Sequence, residues 1–156
     1  MAIRNKPHDA AVFGIDLGKN LFHDCGLDAA GTPVQRATFR RETLVQFFER
    51  AAPTVVGMEA CPGSQWLARK LQAIGHTVRI VPAKFVKPYI KSNKNDQIDA
   101  EAIAEAVSRP TMRFVEVKSP EQVDQAHRRT RNRLSDSLGL DLIDRKSTRL
   151  NSSHGY

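Results

Sequence analysis

The sequence predicts an α/β fold: a mixed sheet flanked by helices, followed by the start of a helical segment. Three observations predict it. The stretches Ala11–Leu17, Thr54–Met58 and Thr77–Val81 are short apolar runs, as expected of strands buried on both faces. Two further stretches, Leu21–Leu27 and Pro33–Arg40, follow the first run across short turns and read as an antiparallel meander. Between and after the later runs, apolar residues recur at helical spacing.

Taken in order, residues 1–10 read as a flexible arm, and residues 11–118 as the folded domain. The first run, Ala11-Val12-Phe13-Gly14-Ile15-Asp16-Leu17-Gly18-Lys19, ends in an aspartate flanked by two glycines. A carboxylate at the end of a central strand is costly to bury unless it is paired or binds a metal. Gly14 and Gly18 leave room for a ligand or a second backbone to approach closely. The same residues also suit a strand that ends in a turn, with Asp16 bonding its own backbone.

Asn20 and Asp28-Ala29-Ala30-Gly31 separate the three meander strands. Residues 42–51 then place Leu44, Phe47, Phe48 and Ala51 on one helical stripe that Pro53 ends. The next strand runs into Glu59. Ser64 follows a Pro62-Gly63 turn and is expected to cap a helix carrying Leu67, Leu71 and Ile74, stopped by Gly75. After the third apolar strand a helix is expected from about Asp96 to Ser108, and Arg113–Val117 as a short strand. Ser119-Pro120-Glu121-Gln122 has the form of a capping box with proline at the first helical position. The helix it opens, residues 119–134, has a thin apolar stripe of Val123, Ala126 and Leu134, so it needs a partner helix.

The 156 residues, 40% hydrophobic and 26% charged, suit one domain with a real core. There is no apolar run of membrane-spanning length, and no signal-peptide core follows the first residues, which predicts a cytoplasmic protein with no membrane partner. Cys25 and Cys61 stand apart from each other and from any histidine at ligand spacing, which argues against a zinc site and predicts two buried, reduced thiols. The net charge of +7 and a pI near 9.8 favour a polyanionic partner. Arg79, Lys84, Lys87, Lys91 and Lys94 occur with no acid among them and with Phe85 and Tyr89 interleaved, suited to phosphate contact with some stacking. A solvated basic face would look the same.

Asp16 and Glu59 end neighbouring strands, so their carboxylates can converge at one sheet edge. Asp96 and Asp99 are three apart at the start of a helix and share a face with Ile103 and Val107, which turns them toward the sheet. Capping accounts for Asp96 but not for Asp99 on the apolar side. Four converging acids repel one another, and a divalent ion is the usual remedy; oxygen ligands without histidine or cysteine select magnesium or manganese. Two such ions about 3.5–4 Å apart stabilise both the attacking and the leaving oxygen of a phosphodiester.

The blocks Gly14-Ile15-Asp16-Leu17-Gly18-Lys19-Asn20, Gly57-Met58-Glu59-Ala60-Cys61 and Lys94-Asn95-Asp96-Gln97-Ile98-Asp99-Ala100 resemble, in order and spacing, the N-terminal domain of the DEDD insertion-sequence transposases. The resemblance covers roughly residues 11–134. It implies an RNase H-like (RuvC-like) fold, and Asp16, Glu59, Asp96 and Asp99 as the catalytic, metal-binding tetrad for Mg2+ or Mn2+. It implies that the helix from Ser119 begins a coiled coil used in assembly, with a homo-oligomer when the chain is full length. Members of this family recombine DNA, and some are directed by a structured guide RNA, the bridge RNA. On this reading Lys84, Lys87, Lys91 and Lys94 contact phosphate backbones.

A full-length member would continue the helix and add a C-terminal domain with a serine nucleophile. Here Ser135-Asp136-Ser137-Leu138-Gly139 is expected to break the helix, leaving residues 135–156 as a disordered or artefactual tail. Asp144–His154 resembles translated adapter sequence; a natural frameshift is the alternative. The expected function is therefore metal-dependent DNA strand cleavage and exchange by a chain lacking its serine domain. Two other readings remain: a Holliday-junction-resolvase-like nuclease, or a non-catalytic remnant that binds nucleic acid. Gly-Ile-Asp-Leu-Gly also resembles the first phosphate loop of actin-like ATPases, but the second glycine loop those proteins need is missing.

Overall fold

The computed structural model describes residues 9–91 and 95–138. They form two units, divided between Val117 and Lys118. In the first, β1 (Val12–Leu17), β2 (Phe22–Leu27) and β3 (Pro33–Phe39) lead into α1 (Arg41–Arg50). Then come β4 (Val55–Glu59), α2 (Ser64–Ala73), β5 (Thr77–Val81), a short α3 (Ala83–Val86) with a 3₁₀ turn at Lys87–Tyr89, and α4 (Asp96–Val107). The sheet order is β3-β2-β1-β4-β5, with β1, β2 and β3 antiparallel and β4 and β5 parallel to β1. This is the mixed sheet flanked by helices that the sequence predicts.

Each face of the sheet is covered differently. On one, α1 and α2 bring Phe47, Phe48, Leu44, Leu67 and Leu71 against Phe13, Ile15, Met58 and Ile80 of the strands. Phe13, Phe47 and Phe48 meet edge-on at 5.1–5.9 Å. Rings in that geometry add about 0.5–1.5 kcal/mol per pair beyond the area they bury. On the other face α4 lies across β1 through Ala100 and Ala104 and reaches β4 through Val107, each fully buried.

There the two glycines in mid-strand set the distance. A Cβ on Gly14 would sit 2.2 Å from the carbonyl oxygen of Ala100 and 2.4 Å from the amide nitrogen of Ala104; one on Gly57 would meet Val107 Cγ2 at 2.4 Å. The close approach expected at Gly14 is therefore by a second backbone, that of α4. Gly18 serves the hairpin turn, where a Cβ would lie 2.5 Å from Leu21 O.

Several local expectations are corrected. Ser64 is the first residue of α2, not its cap: Gly63 precedes it, and the Ser64 hydroxyl turns back to donate to Cys61 O at 2.8 Å. Residues 113–117 form no strand; a single antiparallel bridge joins Val115 to Ile80. Among the described residues that bridge is all that the edge of β5 gains there, and Phe114 beside it is 40% exposed. Cys61 is half-buried, whereas Cys25 is buried as expected, and both are free thiols. The basic stretch carries α3 and the 3₁₀ turn, where no helix was expected.

In the second unit α5 spans Pro120–Leu138. Its capping box is formed: Gln122 N donates to Ser119 Oγ at 3.3 Å and Ser119 N to Gln122 Oε1 at 2.9 Å. Val123 and Ala126 are half-buried and Leu134 is 57% exposed, in keeping with the thin stripe. The helix runs through Ser135-Asp136-Ser137 instead of breaking there, since those residues lower helix propensity by only a few tenths of a kcal/mol each. The expected arm, but for Asp9 and Ala10, and the expected tail beyond Leu138 lie outside the described residues. No helix among those described is long and apolar enough to cross a membrane.

Candidate metal centre

The fold carries three of the four predicted acids to one point. Asp16 lies one residue from the end of β1, and Asp96 and Asp99 occupy the first turn of α4. Because α4 rests on Gly14, that first turn hangs just past the end of β1. Oxygens of Asp16, Asp96 and Asp99 lie within 4.8 Å of one another. Glu59, the last residue of β4, lines the same cavity of about 500 Å³ with these three, but its oxygens stand outside that close group. Ala83, Val86, Lys87 and Ile90 form the opposite wall.

The capping question at α4 is resolved by Asn95. Its side chain accepts from Gln97 N at 2.9 Å and is the N-cap, so Asp96 is not needed as one. Asp96 is also not turned onto the sheet: its side chain is 59% exposed, whereas Asp99 is half-buried.

Crowding shows in the proton affinity of the centre. The Asp16 carboxyl is pushed up from 3.8 to about 6, first by burial and then by Asp99 and Asp96, with Glu59 adding to the rise and His23 opposing it. A carboxyl that resists ionisation because other carboxylates face it is a site prepared for a cation. All the side chains offered are hard oxygen donors, which fits magnesium or manganese.

His23 is a participant that the sequence reading missed. It stands opposite Asp16 in the β1–β2 register, on the α4 side of the sheet. Its Nε2 is 3.2 Å from Asp96 Oδ2, and its Nδ1 lies 3.1 Å from Thr38 Oγ1 and 3.2 Å from Gln97 Nε2. The Gln97 amide nitrogen also donates to Ala37 O and to Thr38 Oγ1, each at 3.2 Å. Nε2 faces Asp96 and, carrying a proton, donates to it and holds it toward Asp16. The hairpin length was the available signal: a four-residue loop between Leu17 and Phe22 puts His23 across from Asp16.

The predicted phosphate contacts are distributed unevenly. Lys87 lines the acid cavity. The Lys84 ammonium lies 4.9 Å from the centre of the Phe85 ring. Lys91 donates to Glu101 at 3.0 Å and Glu105 at 2.6 Å, and Arg36 also bonds Glu101, so α4 balances much of that charge itself. Burial alone would raise the Glu101 carboxyl, but these hydrogen bonds outweigh it and hold it below the usual range. Arg79 donates to Val107 O at 2.9 Å and lies over the Phe114 ring. Lys94 lies outside the described residues.

Comparison with known proteins gives the chain its relatives. A family model described as a transposase, of the DEDD type found with the insertion sequence IS110, matches residues 13–139. The chain is 43% identical over 148 residues to the transposase for insertion sequence element IS1328 of Yersinia enterocolitica, covering 95% of this chain and 42% of that protein. It is 47% identical over 122 residues to a probable family 20 transposase of Pseudomonas aeruginosa, covering 78% and 36%. It is 39% identical over 132 residues to the transposase for insertion sequence element IS1111A of Coxiella burnetii, covering 84% and 36%. Among solved structures it is similar to T. thermophilus RuvC in complex with Holliday junction substrate, at 14% identity and a TM-score of 0.48, over 67% of this chain and 98% of that one. The chain spans less than half the length of the transposases it matches. It belongs to the DEDD transposase family of insertion sequences.

Proposed function

We propose that Asp16, Glu59, Asp96 and Asp99 hold magnesium or manganese, and that this domain is the part of a transposase that engages the DNA phosphate to be cleaved and exchanged. The observation that carries the reading is the convergence of Asp16, Asp96 and Asp99, from two elements far apart in sequence, on a cavity that Glu59 completes. When bound, the metal supplies positive charge to the phosphate and to the oxygens that attack and leave.

The chain's own residues do the rest. Asp16 must give up its proton for the site to load, His23 keeps Asp96 turned toward Asp16, and Lys87 offers a cation to the incoming backbone. The intact protein would act in the cytoplasm as a homo-oligomer on DNA. Resemblance to members directed by a structured guide RNA supports RNA as a second partner, and the surplus of basic residues suits either nucleic acid.

Thermal melting with and without manganese tests the metal reading. The parent chain should gain about 2.7 kcal/mol at a hundredfold excess of metal over its dissociation constant. Asp99→Asn should lose most of that gain, while its metal-free form is at least as stable as the parent because one repulsion of Asp16 is gone. The gain should also grow as pH rises through about 6, where Asp16 ionises. The metal-free domain should do the opposite. Asp16 binds a proton more readily folded than unfolded, so its contribution to stability falls as pH rises from about 4 to about 6. Equal manganese stabilisation in parent and variant would overturn the tetrad.

A further inference from the structure

One residue beyond Asp16, on the aromatic side of the sheet, a second cleft opens. It is lined by Leu17, Gly18, Lys19, Phe22, Arg41 and Trp66, with the Cys61-Pro62-Gly63 turn as its floor. Trp66, the chain's single tryptophan, is 36% exposed there. The Arg41 guanidinium lies 5.1 Å from the centre of its ring and the Lys70 ammonium 5.9 Å. Among the described residues no acid lines the cleft.

An indole left at the surface between two cations, with a third cation on the adjoining hairpin turn, is poorly accounted for by the core. Phe47 and Phe48 are fully buried one helix away, while Trp66 faces out. The chemistry it offers is a flat apolar face for a base and positive charge for the phosphates on either side. The cleft lies at the same end of the sheet as the metal centre but on the opposite face: the end of β1 turns Asp16 into one cavity and Leu17 into the other.

We propose that this cleft holds an unpaired nucleotide of the DNA strand next to the phosphate engaged at the metal centre. Its base stacks on Trp66, and its backbone meets Lys19, Arg41 and Lys70. To reach it, a strand leaving the acid cavity would cross the end of the sheet at the β1–β2 turn, where Gly18 and Lys19 line the cleft. This rests on the DNA-processing reading above and adds to it the form of substrate, a strand unpaired beside the reacting phosphate.

Because Trp66 is the chain's own probe, binding can be read without a label on the protein. The full chain is titrated, without metal, with a short single-stranded DNA carrying a dye for anisotropy while tryptophan emission is recorded. We expect emission to be quenched over the same concentration range as the anisotropy rises. Trp66→Ala should weaken binding roughly 5- to 150-fold, and Trp66→Phe, which keeps a ring, much less. Replacing Lys19 and Arg41 together by alanine should lower the salt slope of binding by about 1.4, two single-strand phosphate contacts. Melting of each variant confirms that it is folded.

DNA binding with unchanged emission, or equal affinity for Trp66→Ala, would overturn the cleft while leaving the metal reading to its own manganese test. Preference for duplex DNA, or for RNA of the same sequence, would overturn the proposed occupant. Absence of any DNA binding would overturn the proposal outright.

Discussion

Two aspartates, Asp16 and Asp24, lie on neighbouring strands and opposite faces of the same sheet, and both hold their protons more tightly than a carboxyl in water. Asp16 is half-buried, faces α4 and shares its cavity with three other acids, with His23 across the strand pair. Asp24 is fully buried on the aromatic side, paired in register with Ile15 and Ala37, and neither of its oxygens has a hydrogen-bond partner among the described residues. Burial is the whole cause of the Asp24 shift, whereas at Asp16 other carboxylates add to it. Burial alone therefore does not mark a functional acid. Convergence with other acids on an open cavity does. The two faces differ in the same sense: one is filled with rings that only need to be excluded from water, the other is held at backbone contact so that groups meet.

The sharpest break of that comparison is at Gly14. Gly14→Ala drives a Cβ into the backbone of α4, which cannot yield as a side chain can, and should cost about 4 kcal/mol or more. It should also remove the manganese stabilisation, because α4 can no longer seat Asp96 and Asp99 beside Asp16. Phe47→Leu on the other face should cost about 1–2 kcal/mol and leave the manganese gain intact. Denaturant melts with and without metal check both; loss of the gain in Phe47→Leu would show that the faces are not independent.

Next in size is Gly57→Ala. Its Cβ meets the side chain of Val107, so the strain should be about 2 kcal/mol and partly relieved by Val107→Ala in the same chain. A double-mutant cycle should return a coupling of about 1 kcal/mol. Strict additivity would show that α4 shifts as a whole instead.

The smallest effect is expected at Asp24. Its folded-state proton affinity is raised, so between its unfolded pKa and its folded one the native state holds a proton that the unfolded chain has lost. Stability from this residue is highest at low pH and declines as pH rises. Asp24→Asn removes that dependence and should be the more stable chain by on the order of 1 kcal/mol at pH 8, with the advantage shrinking toward pH 4. An equal pH dependence of melting in both chains would contradict this.

The strands and most helices were legible because apolar runs and stripes report directly on which side of an element is buried. Asp16, Asp96 and Asp99 were legible because each follows or opens such an element, and Glu59 likewise ends a strand. His23 was not, because its place depends on pairing register, which no single-strand pattern contains. Nor was Asn95 as the cap of α4, since Asp96 beside it is an equally good capping residue by type. The turn of helix at Ala83–Val86 sits between Pro82 and Pro88 in a lysine-rich stretch whose periodicity is too short to read. Trp66 was passed over because an exposed aromatic on a helix looks like any other until the cations around it are placed.

The contact between Gly14 and α4 also has a kinetic consequence. It joins the first strand of the sheet to the last helix of the domain, so the segment between them must be closed into a loop before the contact can form. A nascent chain emerging through β5 already carries every strand and the aromatic side of the core, yet lacks half of the acids. The centre is then assembled late, and manganese should act on the completed domain, slowing its unfolding while leaving its refolding rate almost unchanged. Stopped-flow rates with and without metal would show this, and faster refolding in manganese would place α4 early in the folding order.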